Sequence, residues 1–142
     1  QGEILGGCID TLYDIFDTAR HEDSVSLCKK YALFPDLEDW KGKILLLESS
    51  ENQPNPEKYR KMLKALKQSG IFEVLSGVLV GKPMDERYAK EYQEILPEAI
   101  ENPTLPIVFN LNVGHATPRA ILPFGIMAKV DVSTQRISFT EA

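Results

Sequence analysis

Cysteine is scarce: Cys8 and Cys28 are the only two in 142 residues. That excludes a disulfide framework, and neither lies in a Cys-x-x-Cys or Cys/His spacing that would hold zinc. Such usage fits a reducing, cytoplasmic setting. Histidine is equally sparse, and His21, His115 and Asp131 form no ligand spacing, so no metal is expected. Positive charge is in the minority, sixteen basic residues against twenty-one acidic for a net charge of −5. With no basic stripe, a nucleic acid polymer is not an expected partner. No apolar run approaches the roughly 18 to 20 residues that span a bilayer, and no segment reads as a signal peptide, so no membrane association is expected. Gly-rich phosphate loops are missing, since "GEILGG" has neither the GxGxxG nor the Walker spacing, and no GxSxG elbow occurs. Repeats, linkers and low-complexity segments are absent too. The chain opens on Gln-Gly without methionine and enters a motif within a few residues, which reads as an excised domain with something upstream.

What is present is enough apolar residue, 43% of the chain, to close one core over residues 1–142 as a single domain. "GEILGG" reads as an extended entry into a helix over "CIDTLYDIFDTA", with Ile9, Leu12, Ile15 and Phe16 on one face. "SVSLCKKYALF" reads as a short helix ended by Pro35. "KILLLE", Lys43 to Glu48, is a strand whose lack of alternation predicts cover on both faces. A helix follows with Asn55 as cap, Pro56 at its first position, Tyr59, Met62, Leu63 and Leu66 inward, and Gly70 ending it in a left-handed conformation. "FEVLSGVLVG" reads as a strand, "DERYAKEYQEILPEAI" as a helix interrupted or ended near Pro97, and "LPIVFNLNVG" as a further strand. Two alternating strands, Ile126 to Val132 and Arg136 to Phe139, joined through Ser133-Thr134-Gln135, predict a C-terminal hairpin. The fold class is α/β: a mixed sheet with helices on its faces and an antiparallel end.

In such sheets ligands gather outside the carboxyl ends of strands. Glu48 closes "KILLLE" and His115 follows "LPIVFNLNVG". If their strands are neighbours, the carboxylate can orient the imidazole and stabilise the imidazolium formed when the ring takes a proton, which is two-thirds of a hydrolytic triad. A histidine after glycine is also commonly a loop residue bonded to backbone, and a strand-ending glutamate is commonly just solvated. Ser49 and Ser50 adjoin Glu48 without any elbow, so no serine stands out as nucleophile. Cys8, at the start of a helix behind two glycines, is the internal competitor, because backbone N–H groups and the helix dipole there would lower its thiol pKa. A small buried residue that lets a helix pack closely is the plainer reading of the same cysteine. Lys82 in "GKP" could reach an anion or simply be solvated, and His21 among charges reads as exposed.

Gly6-Gly7-Cys8 opening a helix, "GKILLLESSE", "GVLVGKP" and "GHATPRAILPFGIMAKVD" together resemble, in order and over nearly the whole chain, the C-terminal domain of the LD-carboxypeptidase family of serine peptidases, nearest its microcin-immunity (MccF-like) branch. The resemblance implies a swivelling β/β/α-like domain and a Ser, Glu, His triad. Glu48 would match the family glutamate and His115 the family histidine, while the serine would come from an N-terminal domain absent here. It implies no cofactor, a murein LD-peptide or a peptidyl- or aminoacyl-nucleotide as substrate, and a homodimer when full-length. Gly7 and Cys8 would then line the substrate, with Cys8 standing where many members carry Asn. The length of "ARHEDSVSLCKKYALFPDLEDW" favours the immunity branch. Two rivals stand beside this reading: a non-catalytic module of the same fold that captures peptide or nucleotide, and a self-contained cysteine hydrolase built on Cys8.

Overall fold

The chain alternates strand and helix until its last quarter, where only strands follow. In the computed structural model, which describes residues 1–140, the order is β1 (Gly2–Cys8), α1 (Ile9–Tyr13), α2 (Ser24–Lys30), α3 (Leu37–Trp40), β2 (Ile44–Glu48), α4 (Pro56–Gln68), β3 (Gly77–Gly81), α5 (Ala89–Ile100), β4 (Ile107–Leu111), β5 (Met127–Asp131) and β6 (Arg136–Phe139). They build one mixed sheet in the order β4-β3-β2-β1-β5-β6. The first four strands of that order are parallel, and β5 and β6 add antiparallel at the β1 edge. This is an α/β domain with flanking helices and a C-terminal hairpin, as the sequence predicts.

Strand pleating divides the apolar residues into two cores. Leu45, Leu47, Val78 and Val80 point to the side carrying α4 and α5, where Tyr59, Met62, Leu63 and Leu66 of α4 and Tyr92, Ile95, Leu96 and Ile100 of α5 are buried against them. Ile4, Ile44, Leu46, Leu79 and Ala128 face the other way, under Val113, Leu122, Val130 and Ile137. Every position of β2 is buried, so the non-alternating run is covered on both sides. Ile9 of α1 and Trp40 of α3 join α4 and α5 in the core on that side. The second face is closed by the chain's own C-terminal strands, because the hairpin curls until Val130, Val132 and Ile137 line one groove with Val108 and Leu111 of β4.

Helix α4 begins as its signals require: the Asn55 side chain accepts a hydrogen bond from Lys58 N at 2.8 Å and Pro56 takes the first helical position. Asn55→Ala is expected to lower stability by about 1 kcal/mol, read as a lower denaturant midpoint at unchanged slope. Gly70 ends the segment with φ +83°.

Other boundaries differ from the sequence reading, each for a local reason. The first helix stops at Tyr13 because Asp17 accepts from Tyr13 Oη (2.6 Å) and from Ala19 N (2.7 Å), a local alternative to helical bonding. Phe16 then packs edge-on against Phe34. Strand β3 starts at Gly77 rather than Phe72, since Ile71 to Glu73 forms a 3-10 turn that drives Ile71 and Phe72 into the core. Helix α5 begins at Ala89, not Asp85, because Asp85, Glu86 and Tyr88 are left-handed. It also runs through Pro97 to Ile100: Leu96 and Ile100 are fully buried, and that packing outweighs the hydrogen bond the proline removes. In the hairpin, Asp131 Oδ1 accepts from Ser133 N, Ser133 Oγ and Thr134 N, which sets the turn.

Candidate active site

Parallel strands deliver their carboxyl ends to one rim. Cys8 of β1 pairs in register with Glu48 of β2, Leu47 with Val80 of β3, and Gly81 with Leu111 of β4, and the loop after β4 brings His115 back over that rim. There His115 Nδ1 lies 2.7 Å from Glu48 Oε2, and the same oxygen accepts from the His115 backbone N–H at 3.2 Å. The carboxylate is 9% exposed and the imidazole 36%, so the buried acid holds a ring whose other nitrogen faces outward. Two groups 67 residues apart in sequence thus become one unit.

Glycine makes this contact sterically possible. Gly114 has φ +84°, and a β-carbon there would lie 2.8 Å from the Glu48 β-carbon and closer still to its Oε2. A β-carbon at Gly81 would likewise lie 2.9 Å from the Glu48 β-carbon and 2.9 Å from Val113 O. Glu48 therefore packs closely against the backbone of both glycines. Arg119 closes the loop by donating to Gly114 O at 3.2 Å.

The ring's second nitrogen, Nε2, lies 3.1 Å from Glu51 Oε2. The hydrogen bond that Glu48 accepts from the ring raises the His115 pKa above its ordinary value; desolvation and Arg119 oppose this, while the charges of Glu48 and Glu51 add to it. Next to the pair, Asp10 is buried at 5% exposure and accepts from Ser50 N at 3.2 Å, tying the segment after β2 to α1. Its other oxygen has Lys58 Nζ at 3.8 Å. Beside His115 a cleft of about 220 Å³ is lined by Lys82, Asp85, Glu86, Asn112 and Thr117. Lys82 pairs across it with Glu86 at 3.9 Å. The larger groove under the hairpin, about 530 Å³, shares none of these residues.

The sequence leaves two readings of Cys8 open. Its thiol pKa is raised, chiefly by burial, which outweighs the backbone hydrogen bonds to it, and the neighbouring carboxylates Glu48 and Asp10 raise it further. The S–H group donates to Asp10 Oδ2 at 3.8 Å. A helix of five residues offers little dipole against that, which favours the plainer of the two readings of Cys8, a small residue packed at the helix start. Gly7, φ +137°, precedes it at the same rim with open space above its backbone. Ser49 and Ser50 are buried, at 4% and 5% exposure, and unsuited to attack a substrate. His21 is exposed, as expected. Sequence reasoning missed Glu51, Asp10 and Arg119; the one legible signal was the three-residue spacing in "ESSE", which a turn converts into two carboxylates on one ring.

The fold is that of a mixed α/β domain carrying an oriented carboxylate–imidazole pair at the rim of its parallel strands. Its sequence places it more narrowly: the profile of the LD-carboxypeptidase C-terminal domain matches residues 1–130, and the chain belongs to that family. Among relatives, the microcin C7 self-immunity protein MccF of Escherichia coli is 24% identical over 144 residues, covering 99% of this chain and 37% of MccF. The crystal structure of an MccF-like protein from Streptococcus pneumoniae in complex with AMP is 60% identical, with a TM-score of 0.96 over 98% of this chain and 40% of that one. A muramoyltetrapeptide carboxypeptidase from Oxalobacter formigenes shares the fold at TM-score 0.66 and 22% identity, covering 96% of this chain and 43% of its own. The chain thus spans about two-fifths of the length of these relatives.

Proposed function

We propose that this domain supplies the acid and base of a serine amidohydrolase whose nucleophile stands on a separate N-terminal domain, and that its substrate is an amide joining an amino acid or peptide to a nucleotide. The observation that carries the reading is the 2.7 Å contact between His115 Nδ1 and a buried Glu48, with Nε2 turned toward the exposed Glu51. In the reaction, Nε2 accepts the proton of the serine hydroxyl as it attacks the amide carbonyl. Glu48 holds the ring and stabilises the imidazolium. The imidazolium then gives that proton to the leaving amine, and water, activated by the same nitrogen, releases the acyl group. No cofactor enters this scheme. Gly7 and Cys8, at the adjoining strand end, line the acyl side of the substrate.

The nucleotide half of the substrate is favoured by the 60% identical relative solved with AMP and by MccF structures with glutamyl sulfamoyl guanosine and aspartyl sulfamoyl adenosine. The murein carboxypeptidase of the same fold makes an LD-tetrapeptide the alternative. The intact protein on this reading is a cytoplasmic homodimer. A non-catalytic capture module is disfavoured, because capture alone gives no reason to bury a carboxylate against one ring nitrogen.

The test compares this 142-residue chain with the full-length protein on an aminoacyl sulfamoyl adenosine and on an LD-tetrapeptide. We expect turnover from the full-length protein only, fastest on the nucleotide conjugate. Comparable turnover by the short chain would sink the proposal; ligand binding by the full-length protein without turnover would favour the capture module.

A further inference from the structure

We propose that Glu51 is a positioning residue that competes with the nucleophile for His115 Nε2 and so sets the pH below which the intact enzyme loses activity. The inference rests on the catalytic reading of Glu48 and His115. Its own basis is geometric: the imidazole is bracketed, with Glu48 at 2.7 Å from Nδ1 and Glu51 at 3.1 Å from Nε2. A neutral ring carries one N–H and can serve one carboxylate, while the imidazolium serves both. The bracketed ring is therefore the protonated one, which cannot act as a base.

The two carboxylates differ in what holds them. Glu48 is enclosed by Gly81 and Gly114 and is 9% exposed. Glu51, three residues on in the turn after β2, is 65% exposed and makes no other ion pair among the described residues. One is fixed; the other can swing into solvent. A serine hydroxyl arriving at Nε2 must occupy the place Glu51 holds, so displacement of Glu51 and loss of the ring proton are coupled steps. Other charges facing the ring are Arg119 in its own loop, which opposes protonation, and Lys82, Asp85 and Glu86 lining the cleft from the loop after β3. They are unchanged by substitution of Glu51, which isolates its effect.

The experiment is the pH profile of kcat/KM for the full-length protein and its Glu51→Gln and Glu51→Ala variants, on an aminoacyl sulfamoyl adenosine. Removing the carboxylate should lower the ring's pKa, moving the acidic limb to lower pH by about 0.3 to 0.7 units, as befits an exposed pair. Activity below the midpoint should then rise about two- to five-fold, with the plateau and thermal midpoint unchanged. An unmoved limb in both variants, while Glu48→Gln abolishes turnover, would overturn the role of Glu51 alone. A plateau lowered more than about ten-fold would overturn it too, since Glu51 would then be touching substrate. Full turnover by Glu48→Gln would overturn this inference together with the triad on which it rests.

Discussion

Glu48→Gln in the full-length protein is expected to lower kcat by about 10⁴-fold with little change in KM, and His115→Ala by on the order of 10⁶-fold. The two effects differ in kind. Without the imidazole the base proposed to take the serine proton is gone, so the nucleophile stays a neutral hydroxyl. With glutamine at position 48 the ring remains, but the oxygen that accepts from Nδ1 at 2.7 Å is exchanged for an amide that cannot stabilise an imidazolium and can face the ring with its NH₂ group. The wrong tautomer would then be favoured. Substrate affinity should persist, because neither change removes the surfaces that bind the acyl group or the leaving half. Single-turnover rates with a chromogenic or mass-resolved substrate measure both losses. If the double variant loses no more than His115→Ala alone, the two groups act as one unit; a Glu48→Gln enzyme within about ten-fold of wild type would remove the carboxylate from the mechanism.

Gly114→Ala should be the most damaging change outside the pair itself. The backbone at Gly114 is left-handed, which costs an L-residue about 1 kcal/mol, and the added methyl would collide with the Glu48 side chain. Gly81 also packs against the Glu48 side chain, so the carboxylate has little room to shift while keeping its contact with His115. We expect a thermal midpoint several degrees lower, and a kcat reduced by about 10²-fold or more, as for a catalytic group misplaced by about 1 Å. Turnover at the wild-type level would show that the slot around Glu48 is looser than its packing implies.

Much of this was readable in the chain itself, because it rested on short-range chemistry. The α4 cap at Asn55, its inward stripe and the left-handed Gly70 depend on residues within a turn or two of each other, and all appear as predicted. So do the hairpin and the doubly covered β2. The family, too, was legible, since its motifs run in order along the chain that the family profile matches over residues 1–130. Misreadings cluster where distant packing overrode local preference. Pro97 is retained inside α5 because its flanking residues are buried under the sheet, and the start of α5 is postponed by three left-handed residues with no glycine to announce them. Of the two readings of Cys8, the packed residue is the one that burial and the carboxylates of Glu48 and Asp10 favour, since they raise its thiol pKa.

By itself, the amino-acid order determined that Glu48 would close a strand and that His115 would follow one in a loop begun by glycine. Strand boundaries and side-chain types are local properties, written in periodicity and punctuation. Only the tertiary structure decided that β2, β3 and β4 lie side by side with their ends level, that the loop after β4 folds back over that rim, and that Glu51 meets the other face of the same ring. Those outcomes depend on register and on backbone approach at glycines 81 and 114, which arise when distant segments pack and which no window of sequence contains.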